Sequence, residues 1–519
     1  MKNIICKKIY LELRVPGNGD FVADIDRIRQ ALKPEYGEVQ ISIETIKLSY
    51  KQLRDFDWKL TVTLVQKGFA WEIVNLERGN TADQNFAYAA DLGSTTVIMQ
   101  LIDLNSGNIV WEESGVNHQV RFGEDILSRI VYVKDDDAHL REIQQCTLLN
   151  FIELMDKIQS ATGISPDKCG TFIIGGNTTM IHFLLGIDPW YVFYTPYTPA
   201  FNRTGFFAGR EIGLPFNGLL YCFPSTANYL GGDIISGLLA SKMYEQSELA
   251  LYMDIGTNGE MLLGNNEFLF SAAGAAGPAL EGGISKQGMR AKAGAVDSVQ
   301  IVQNQLKITT IENAKPVGIC GSGIVDLLAE MLLAGWIDYS GRFIPGRSER
   351  ILRRDGEYIV VYAWEHESAL QEDLIFSQAD ILRFMDTKAA ANTMVAFLVE
   401  ALAITPDKIQ RVYLAGAFGT YINIESGITI GLYPDLPRER FVQLGNGSIK
   451  GACKLLQDAD QLSVVEELMS SIIYLSLAEA PDFLNKMSAA KFLPHTDFSL
   501  YPTVIEKIRS RKQLASSSH

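Results

Sequence analysis

Apolar and polar residues alternate in short stretches near the start of the chain, which is the spacing of half-buried β-strands. This pattern predicts a strand over residues 7–14 and a hairpin with strands at 58–64 and 71–74 around a Lys67-Gly68 turn. Between them, apolar residues at helical spacing predict a short amphipathic helix over residues 24–32. The beginning of the chain is therefore predicted to be a small α+β module.

A polar stretch at residues 80–85 marks the end of this module. We assign residues 1–16 to a linker and residues 17–85 to the module itself, a small middle domain. Beyond it, strand-like and helix-like patterns alternate to the end of the chain, which is typical of an α/β fold. We divide this region into two lobes, 86–245 and 246–519, because one arrangement of motifs occurs in each.

The repeated arrangement is an Asp-headed glycine turn, followed further along by a strand that ends in small residues. In the first lobe these stretches are Asp-Leu-Gly-Ser-Thr-Thr at 91–96 and Ile-Ile-Gly-Gly-Asn-Thr-Thr at 173–179. In the second lobe they are Asp-Ile-Gly-Thr-Asn-Gly-Glu at 254–260 and Val-Tyr-Leu-Ala-Gly-Ala-Phe-Gly at 412–419. A duplicated half-fold of this kind predicts a nucleotide held between two similar lobes.

The Asp-headed turns have the composition of a phosphate site. Glycine lets a backbone approach a phosphate closely, and successive N–H groups in such a turn bind anions. A carboxylate at the end of the strand can hold Mg²⁺ through water. An Asp-x-Gly sequence is also common in ordinary hairpin turns, and the second copy is what favours phosphate binding. The residues predicted for this role are Asp91, Gly93, Ser94, Thr95, Thr96, Asp254, Gly256, Thr257 and Asn258.

The downstream turns each follow a strand and precede a helix. Small residues at 415–419 would let the backbone lie flat against an adenine and its ribose. A helix packed closely on a sheet also requires glycine, so this alternative stays open for both turns, and more so for the first. The residues predicted to contact the nucleotide here are Gly175, Gly176, Asn177, Gly416, Ala417 and Gly419.

Composition limits the partners that the chain can have. The net charge of −15 over 519 residues argues against a nucleic acid or an anionic membrane as partner. No apolar run approaches the ~18 residues of a membrane span, and the N-terminus is not that of a signal peptide, so we expect a cytoplasmic protein. The six cysteines are scattered without Cys-x-x-Cys spacing, which suits reduced thiols and provides no iron–sulfur ligand cluster.

In this order, the turns resemble those of the superfamily of acetate and sugar kinases, Hsp70 and actin. Within it, several further segments resemble one family, the ATP-dependent reductive activators of corrinoid proteins. The resemblance covers essentially the whole chain and implies a two-lobed, duplicated actin/Hsp70-like ATPase body behind the small α+β module. The segments that carry it are residues 175–180, 194–199, 276–282, 318–323 and 414–419.

The resemblance also implies a role for each part of the site. Asp91 and Asp254 would orient Mg²⁺, while the turns that follow them donate to the phosphates of ATP, and residues 416–419 flank the adenosine. Asp233, at the start of an expected helix, is the candidate for positioning or activating the attacking water, and Asp254 is the second catalytic candidate. Asp233 is also well placed to cap its helix, and the two roles are compatible.

The activity that this family implies is the ATP-dependent reduction of Co(II) to Co(I) in a corrinoid methyl-carrier protein, by a cytoplasmic homodimer. Its members carry an N-terminal [2Fe–2S] ferredoxin domain, which is missing from this chain. We expect that the domain was truncated or that a separate ferredoxin supplies the electron. Two alternatives stay open, a small-molecule kinase and a nucleotide-dependent interaction module. The activators of 2-hydroxyacyl-CoA dehydratases are set aside, because this chain lacks their paired cysteines.

Overall fold

The chain folds into two compact units, each of which consists of two stretches of sequence. The first unit comprises Met1–Ser241 and Gly447–Ser471, and the second comprises Lys242–Asn446 and Ile472–His519. The computed structural model describes residues 3–256, 258–275, 283–477 and 482–517.

The first unit begins with the small α+β module. Its elements are β1 (Cys6–Glu12), α1 (Asp24–Tyr36), β2 (Val39–Ile41), α2 (Ile43–Ser49), α3 (Gln52–Asp55), β3 (Lys59–Lys67) and β4 (Ala70–Arg78). They form a four-stranded sheet in the order β1-β3-β4-β2. Apolar side chains of α1, including Ile28 and Leu32, pack on the strand residues Leu60, Val62 and Leu64. The first strand, the helix and the hairpin agree with the sequence-based expectation.

The strand β1 lies within residues 1–16, where the sequence predicted a linker. β1 pairs antiparallel with β3 along its whole length, from Cys6 opposite Val65 to Glu12 opposite Lys59. Its backbone hydrogen bonds are therefore part of the module's sheet. The module thus begins before residue 17, since a strand that completes a sheet cannot act as a free linker.

The α/β part of the first unit is built around one six-stranded sheet. Its order is β7-β6-β5-β8-β10-β9, in which β5, β8 and β10 run parallel. The buried aromatic residues Tyr88, Phe151 and Phe172 lie in the core of this sheet. The elements are β5 (Phe86–Leu92), β6 (Thr96–Asp103), β7 (Ile109–Val116), α4 (Ile126–Val133), α5 (Asp137–Thr162), β8 (Cys169–Gly176), α6 (Thr178–Leu185), α7 (Trp190–Phe193), β9 (Phe206–Ala208), β10 (Leu219–Cys222) and α8 (Gly232–Ser241).

The second unit holds a six-stranded sheet and two smaller ones. The large sheet has the order β21-β20-β11-β12-β13-β22, and the three-stranded sheets have the orders β15-β14-β16 and β17-β18-β19. Its elements up to residue 445 are β11 (Ala250–Ile255), β12 (Asn258–Gly264), β13 (Leu269–Ala275), β14 (Ala295–Val302), β15 (Gln305–Thr310), β16 (Gly318–Ile319), α9 (Gly321–Ala334), β17 (Ile351–Arg354), β18 (Glu357–Ala363), β19 (Leu374–Ser377), α10 (Gln378–Ala401), β20 (Arg411–Ala415), α11 (Gly416–Tyr421), α12 (Ile424–Thr429) and β21 (Phe441–Gly445).

The chain then returns to the first unit before it completes the second. The helices α13 (Gly447–Gln457) and α14 (Gln461–Ser471) belong to the first unit, and β22 (Ile472–Tyr474), α15 (Phe483–Ala490) and α16 (Pro502–Ser517) belong to the second. In α13, a Cβ on Gly451 would lie 1.9 Å from the Ser236 carbonyl oxygen of α8. The second lobe expected at 246–519 is therefore interrupted by α13 and α14. Glycine at position 451 lets α13 pack directly on α8 of the first unit.

The two large sheets repeat the same core arrangement. The order β7-β6-β5-β8 in the first unit corresponds to β13-β12-β11-β20 in the second. In both, an antiparallel three-stranded meander is joined to a parallel strand from later in the chain. The predicted duplicated α/β fold is thus confirmed. Among the described residues, no helix is both long enough and apolar enough to span a membrane.

Candidate functional site

The first Asp-headed turn lies at the carboxyl end of β5. Asp91 pairs with Ile98 on the antiparallel neighbour β6 and with Gly175 on the parallel neighbour β8. The hairpin closes with a hydrogen bond of 3.1 Å from the Gly93 N–H to the Thr96 carbonyl. The structure therefore brings Asp91, the turn at 93–96 and the downstream glycine turn to the same edge of the sheet.

Packing explains the glycines of the first downstream turn. A Cβ on Gly175 would lie 2.2 Å from Oγ of Ser448, and one on Gly176 would lie 3.0 Å from the Leu92 carbonyl oxygen. The Asn177 side chain caps α6 by accepting a hydrogen bond of 3.0 Å from the Met180 N–H. The close-packing alternative therefore accounts for these residues, and their contact with a nucleotide stays a prediction.

Asp233 lies beside this turn at the N-terminus of α8. A Cβ on Gly231 would be 2.5 Å from Oδ1 of Asp233 and 2.4 Å from Cα of Asn177, which places the carboxylate next to the downstream turn. Oδ1 also accepts a hydrogen bond of 2.9 Å from the Ile234 N–H. Asp233 is therefore the second residue of α8 and not its N-cap, because the first helical N–H groups bond to the Gly231 carbonyl. Its half-buried carboxylate lies close to the candidate phosphate residues.

The second unit repeats the arrangement around Asp254, at the carboxyl end of β11. Asp254 pairs with Glu260 on β12 and with Ala415 on β20, which matches the register of Asp91 with Ile98 and Gly175. Gly416 has φ +77°, and a Cβ there would lie 2.6 Å from Oδ1 of Asp254. Glycine is required at this position because any side chain would strain the backbone and displace the carboxylate.

The remaining predicted residues of the second unit lie on either side of this contact. Gly256 directly follows β11, Asn258 begins β12, and Thr257 lies outside the described residues, as does the family-like segment at 276–282. Ala417 and Gly419 belong to α11. A Cβ on Gly419 would lie 2.5 Å from the Leu414 carbonyl carbon, so this glycine lets the helix begin directly against β20.

Two buried residues that the sequence analysis did not single out contact the first turn. The Asn117 side chain donates to the Gly93 carbonyl at 2.8 Å, and the Arg129 guanidinium donates to the Ser94 carbonyl at 2.6 Å. Arg129 occupies the apolar face of α4, beside Ile126 and Ile130. A charged residue at such a position is the signal that could have identified it.

The donor sets fit ATP and Mg²⁺ but not an iron–sulfur cluster. Each large sheet presents one aspartate beside a glycine turn, and Mg²⁺ is usually held by one or two carboxylates together with substrate phosphates. Within the described ranges, no group of three or more His, Cys, Asp and Glu residues could hold a metal ion. The six cysteines are free thiols, and burial raises the pKa of Cys6 and Cys222 to about 12, which disfavours their thiolate forms.

The buried histidine of the first unit has a structural role. His182 is 1% exposed, donates a hydrogen bond of 2.7 Å from Nδ1 to the Thr178 carbonyl, and stacks on Phe201. Burial lowers its pKa, so the ring stays neutral. With its proton on Nδ1 bound to this carbonyl, the neutral ring of His182 packs as part of the core.

Three family models together match nearly the whole chain. Those described as the RACo linker region, the RACo middle region and the C-terminal domain of RACo, the ASKHA domain, match residues 4–83, 86–246 and 248–505. The linker model covers both the linker and the small module that we assigned from the sequence. The middle-region model covers the residues that we assigned to the first lobe.

The names of three similar proteins are consistent with these family models. A solved structure of a reductive activator for corrinoid, iron–sulfur protein is 36% identical, with a TM-score of 0.89, and the match covers 97% of this chain and 81% of that chain. The corrinoid activation enzyme RamQ of Eubacterium limosum is 29% identical over 77% of this chain and 69% of its own length. The [Co(II) methylated amine-specific corrinoid protein] reductase of Methanosarcina barkeri is 26% identical over 50% of this chain and 49% of its own.

Proposed function

We propose that this chain, which belongs to the RACo family, is an ATPase that drives the reduction of Co(II) to Co(I) in a corrinoid protein. The observation that carries this proposal is the match to the solved reductive activator, at 36% identity and a TM-score of 0.89 over 97% of the chain. Both curated relatives have names that refer to corrinoid proteins. The C-terminal family model is described as an ASKHA domain, which supports ATP as the nucleotide.

In this proposal, the two Asp-headed turns bind the phosphates of ATP. Backbone N–H groups and hydroxyls at 93–96 and 256–258 would donate to phosphate oxygens, while the loop at 416–419 would contact the adenosine. Asp91 and Asp254 would hold Mg²⁺, which neutralises charge on the phosphates when it is bound. The support is the matching register of both aspartates, each beside the small-residue turn of a parallel neighbour.

Asp233 would orient the water that attacks the γ-phosphate. Its carboxylate already accepts a hydrogen bond from the first turn of α8, which fixes its position beside the turn at 175–177. A carboxylate held in this way can accept a hydrogen bond from water and direct its lone pair. Hydrolysis then consumes one ATP and one water and yields ADP and phosphate.

ATP is needed because the reduction is unfavourable for ordinary cellular donors. For a one-electron couple, ~59 mV corresponds to a tenfold change in the equilibrium constant. A nucleotide-dependent difference of ~1–3 kcal/mol in affinity for the two cobalt states would therefore offset roughly 40–130 mV. The activator must bind the Co(II) and Co(I) forms differently, since equal affinity would shift nothing.

The electron in this proposal comes from a [2Fe–2S] ferredoxin domain or protein and not from the described cysteines. Five of the six thiols are buried, and none shares a metal-binding group with others. Such a donor would supply the single electron that converts Co(II) to Co(I) and would itself be oxidised by one electron. The matched solved activator extends beyond the aligned region, since 81% of that chain is covered.

ATP hydrolysis by wild type and by Asp91→Asn and Asp254→Asn tests this assignment. We expect Mg²⁺-dependent hydrolysis that a Co(II)-state corrinoid protein stimulates. Each substitution should lower the rate by roughly 10²-fold or more, because positioning of the metal and phosphates supplies most of the catalysis. Hydrolysis that both asparagine variants retain at the wild-type rate would contradict the assigned site. Turnover that requires a small acceptor molecule would instead identify a kinase.

A further inference from the structure

Three consecutive carbonyl groups of the first phosphate turn accept hydrogen bonds from two buried residues. Nδ2 of Asn117 donates to the Gly93 carbonyl at 2.8 Å, and the main-chain N–H of Asn117 donates to the Thr95 carbonyl at 2.9 Å. Between these contacts, Nη1 of Arg129 donates to the Ser94 carbonyl at 2.6 Å. All three carbonyls therefore point toward Asn117 and Arg129.

These contacts also fix the direction of the N–H groups in the turn. Its peptide bonds are trans. In a trans peptide, the carbonyl of one residue and the N–H of the next point in opposite directions. The N–H groups of Ser94, Thr95 and Thr96 therefore face away from Asn117 and Arg129. Successive N–H groups presented in this way bind anions.

The Arg129 guanidinium is itself held in place. Arg129 is 0% exposed, and its Nε donates to the Gly123 carbonyl at 2.9 Å. Its Nη1 also lies 3.3 Å from Oε1 of Gln119, whose Nε2 donates to Oγ1 of Thr147 on α5 at 2.5 Å. A planar guanidinium with several fixed partners loses little further freedom when it holds the turn. A positive charge is thereby fixed directly behind the candidate phosphate site.

From this geometry we infer that Asn117 and Arg129 are positioning residues for phosphate binding. They hold the turn at 93–96 in its anion-binding shape before the nucleotide arrives, and Arg129 adds a positive potential that favours the phosphates. A preformed site needs no reorganisation when the ligand binds. This inference rests on the proposed function, because it takes the turn to be a contact for ATP.

Three substitutions test the contributions of shape and charge. Arg129→Met removes the donor and the charge, while Asn117→Asp keeps the size but puts an acceptor against the Gly93 carbonyl. Each should weaken ATP binding by roughly 10–100-fold, the usual effect of losing a residue that orients direct ligands. Arg129→Lys keeps the charge without the planar fork and should give an intermediate loss. The measurement is calorimetric titration with ATP and Mg²⁺.

Arg121→Met is the matched control. Arg121 lies in the same part of the chain, its side chain is 57% exposed, and its carboxylate partner is Glu142. ATP affinity and the KM for ATP should match those of wild type in this variant.

If Arg129 had only a structural role, Arg129→Met would lower the thermal midpoint of the nucleotide-free chain. The KM for ATP, measured well below that midpoint, would then stay unchanged. We expect the KM to rise even where circular dichroism shows a fully folded chain. If Arg129→Met does not fold, Asn117→Asp and Arg129→Lys decide the question. Unchanged KM values in the folded variants would overturn this inference alone, whereas a wild-type chain that binds no ATP would contradict the proposed function.

Discussion

Gly416 lies in the left-handed region of backbone space, at φ +77°, directly against the Asp254 carboxylate. Both residues are recognisable in the sequence from the motif of which they are part. The motif alone does not distinguish close packing from nucleotide contact at the glycine, because both require a small residue. The structure adds a third reason, since a Cβ would lie 2.6 Å from Oδ1 of Asp254.

Gly416→Ala should therefore lower ATP hydrolysis at least tenfold, because a catalytic carboxylate displaced by about 1 Å can cost 10²-fold in rate. Gly335→Ala is the matched control, since Gly335 also has positive φ (+69°) but a Cβ there would meet nothing within 4 Å. Both variants should lose about 1 kcal/mol of stability from backbone strain. Equal hydrolysis by the two variants would show that the contact with Asp254 has no role in the activity.

Lys388 is a second residue with an unusual environment that the sequence did not reveal. It is 0% exposed on α10, and its ammonium donates to the carbonyls of Ala490 and Phe492, both at 2.6 Å, and to that of Pro494. It therefore ties the segment after α15 to the core of the second unit. Sequence spacing gave no sign of this role, because the three acceptors are backbone atoms about a hundred residues away.

Lys388→Met should destabilise the second unit by about 3 kcal/mol or more, because it leaves several buried carbonyls without donors. Lys408→Met, at a lysine whose side chain is 66% exposed, should change stability little. Urea midpoints measure both. Similar midpoints for the two variants would mean that the carbonyl contacts of Lys388 contribute little to stability.

The burial of Lys388 should also make the stability of the chain depend on pH. Burial lowers the pKa of Lys388 to about 7, whereas the unfolded lysine keeps its proton up to about 10.5. Between these values the unfolded chain binds more protons, so the free energy of unfolding should rise with pH. The difference in urea midpoint between wild type and Lys388→Met should therefore grow from pH 7 to pH 10. A constant or shrinking difference would contradict the lowered pKa.

At the scale of elements, the strongly periodic segments were predictable and the irregular ones were not. The hairpin β3–β4 and the helix α1 follow alternating and helical apolar patterns. The short elements β2 and α3 have too few residues to show a period. The mixed sheet β15-β14-β16 and the antiparallel sheet β17-β18-β19 also depart from the α/β alternation expected after residue 86.

One carboxylate pairs with lysines of both the small module and the α/β part of the first unit. Glu77 on β4 pairs with Lys8 on β1 and, at 2.6 Å, with Lys168 just before β8. The Lys8 side chain is 0% exposed. Next to this pair, a Cβ on Gly170 would lie 2.4 Å from Sγ of Cys6, so the module packs tightly on the start of β8.

Glu77→Gln should destabilise the first unit by about 3–5 kcal/mol, because it leaves the buried Lys8 charge without its partner. Glu38→Gln is the matched control in the same module, since Glu38 pairs with Lys33 on the surface. Thermal unfolding should shift clearly for the first variant and not measurably for the second. A shift of the same size in both would indicate that the pair has no special role at this junction.

For the whole molecule, the duplicated fold was predictable because its signal is repeated. Each Asp-headed turn and its downstream small-residue turn indicated one copy of the repeated half-fold. In the structure, the two copies are the strand groups β7-β6-β5-β8 and β13-β12-β11-β20. The return of α13 and α14 to the first unit was not predictable, because glycine spacing alone does not reveal which helix will lie against it. The expected homodimer stays a prediction, which the molecular mass in solution would test.

The most direct test of the whole account is the absorption spectrum of a Co(II)-state corrinoid protein, followed with this chain, a low-potential one-electron donor, Mg²⁺ and ATP. We expect Co(I) to form only when ATP and the wild-type chain are both present, and not with Asp254→Asn. Formation of Co(I) at the same rate without ATP, or no Co(I) with any corrinoid protein despite active hydrolysis, would contradict the proposal that this chain couples ATP to cobalt reduction.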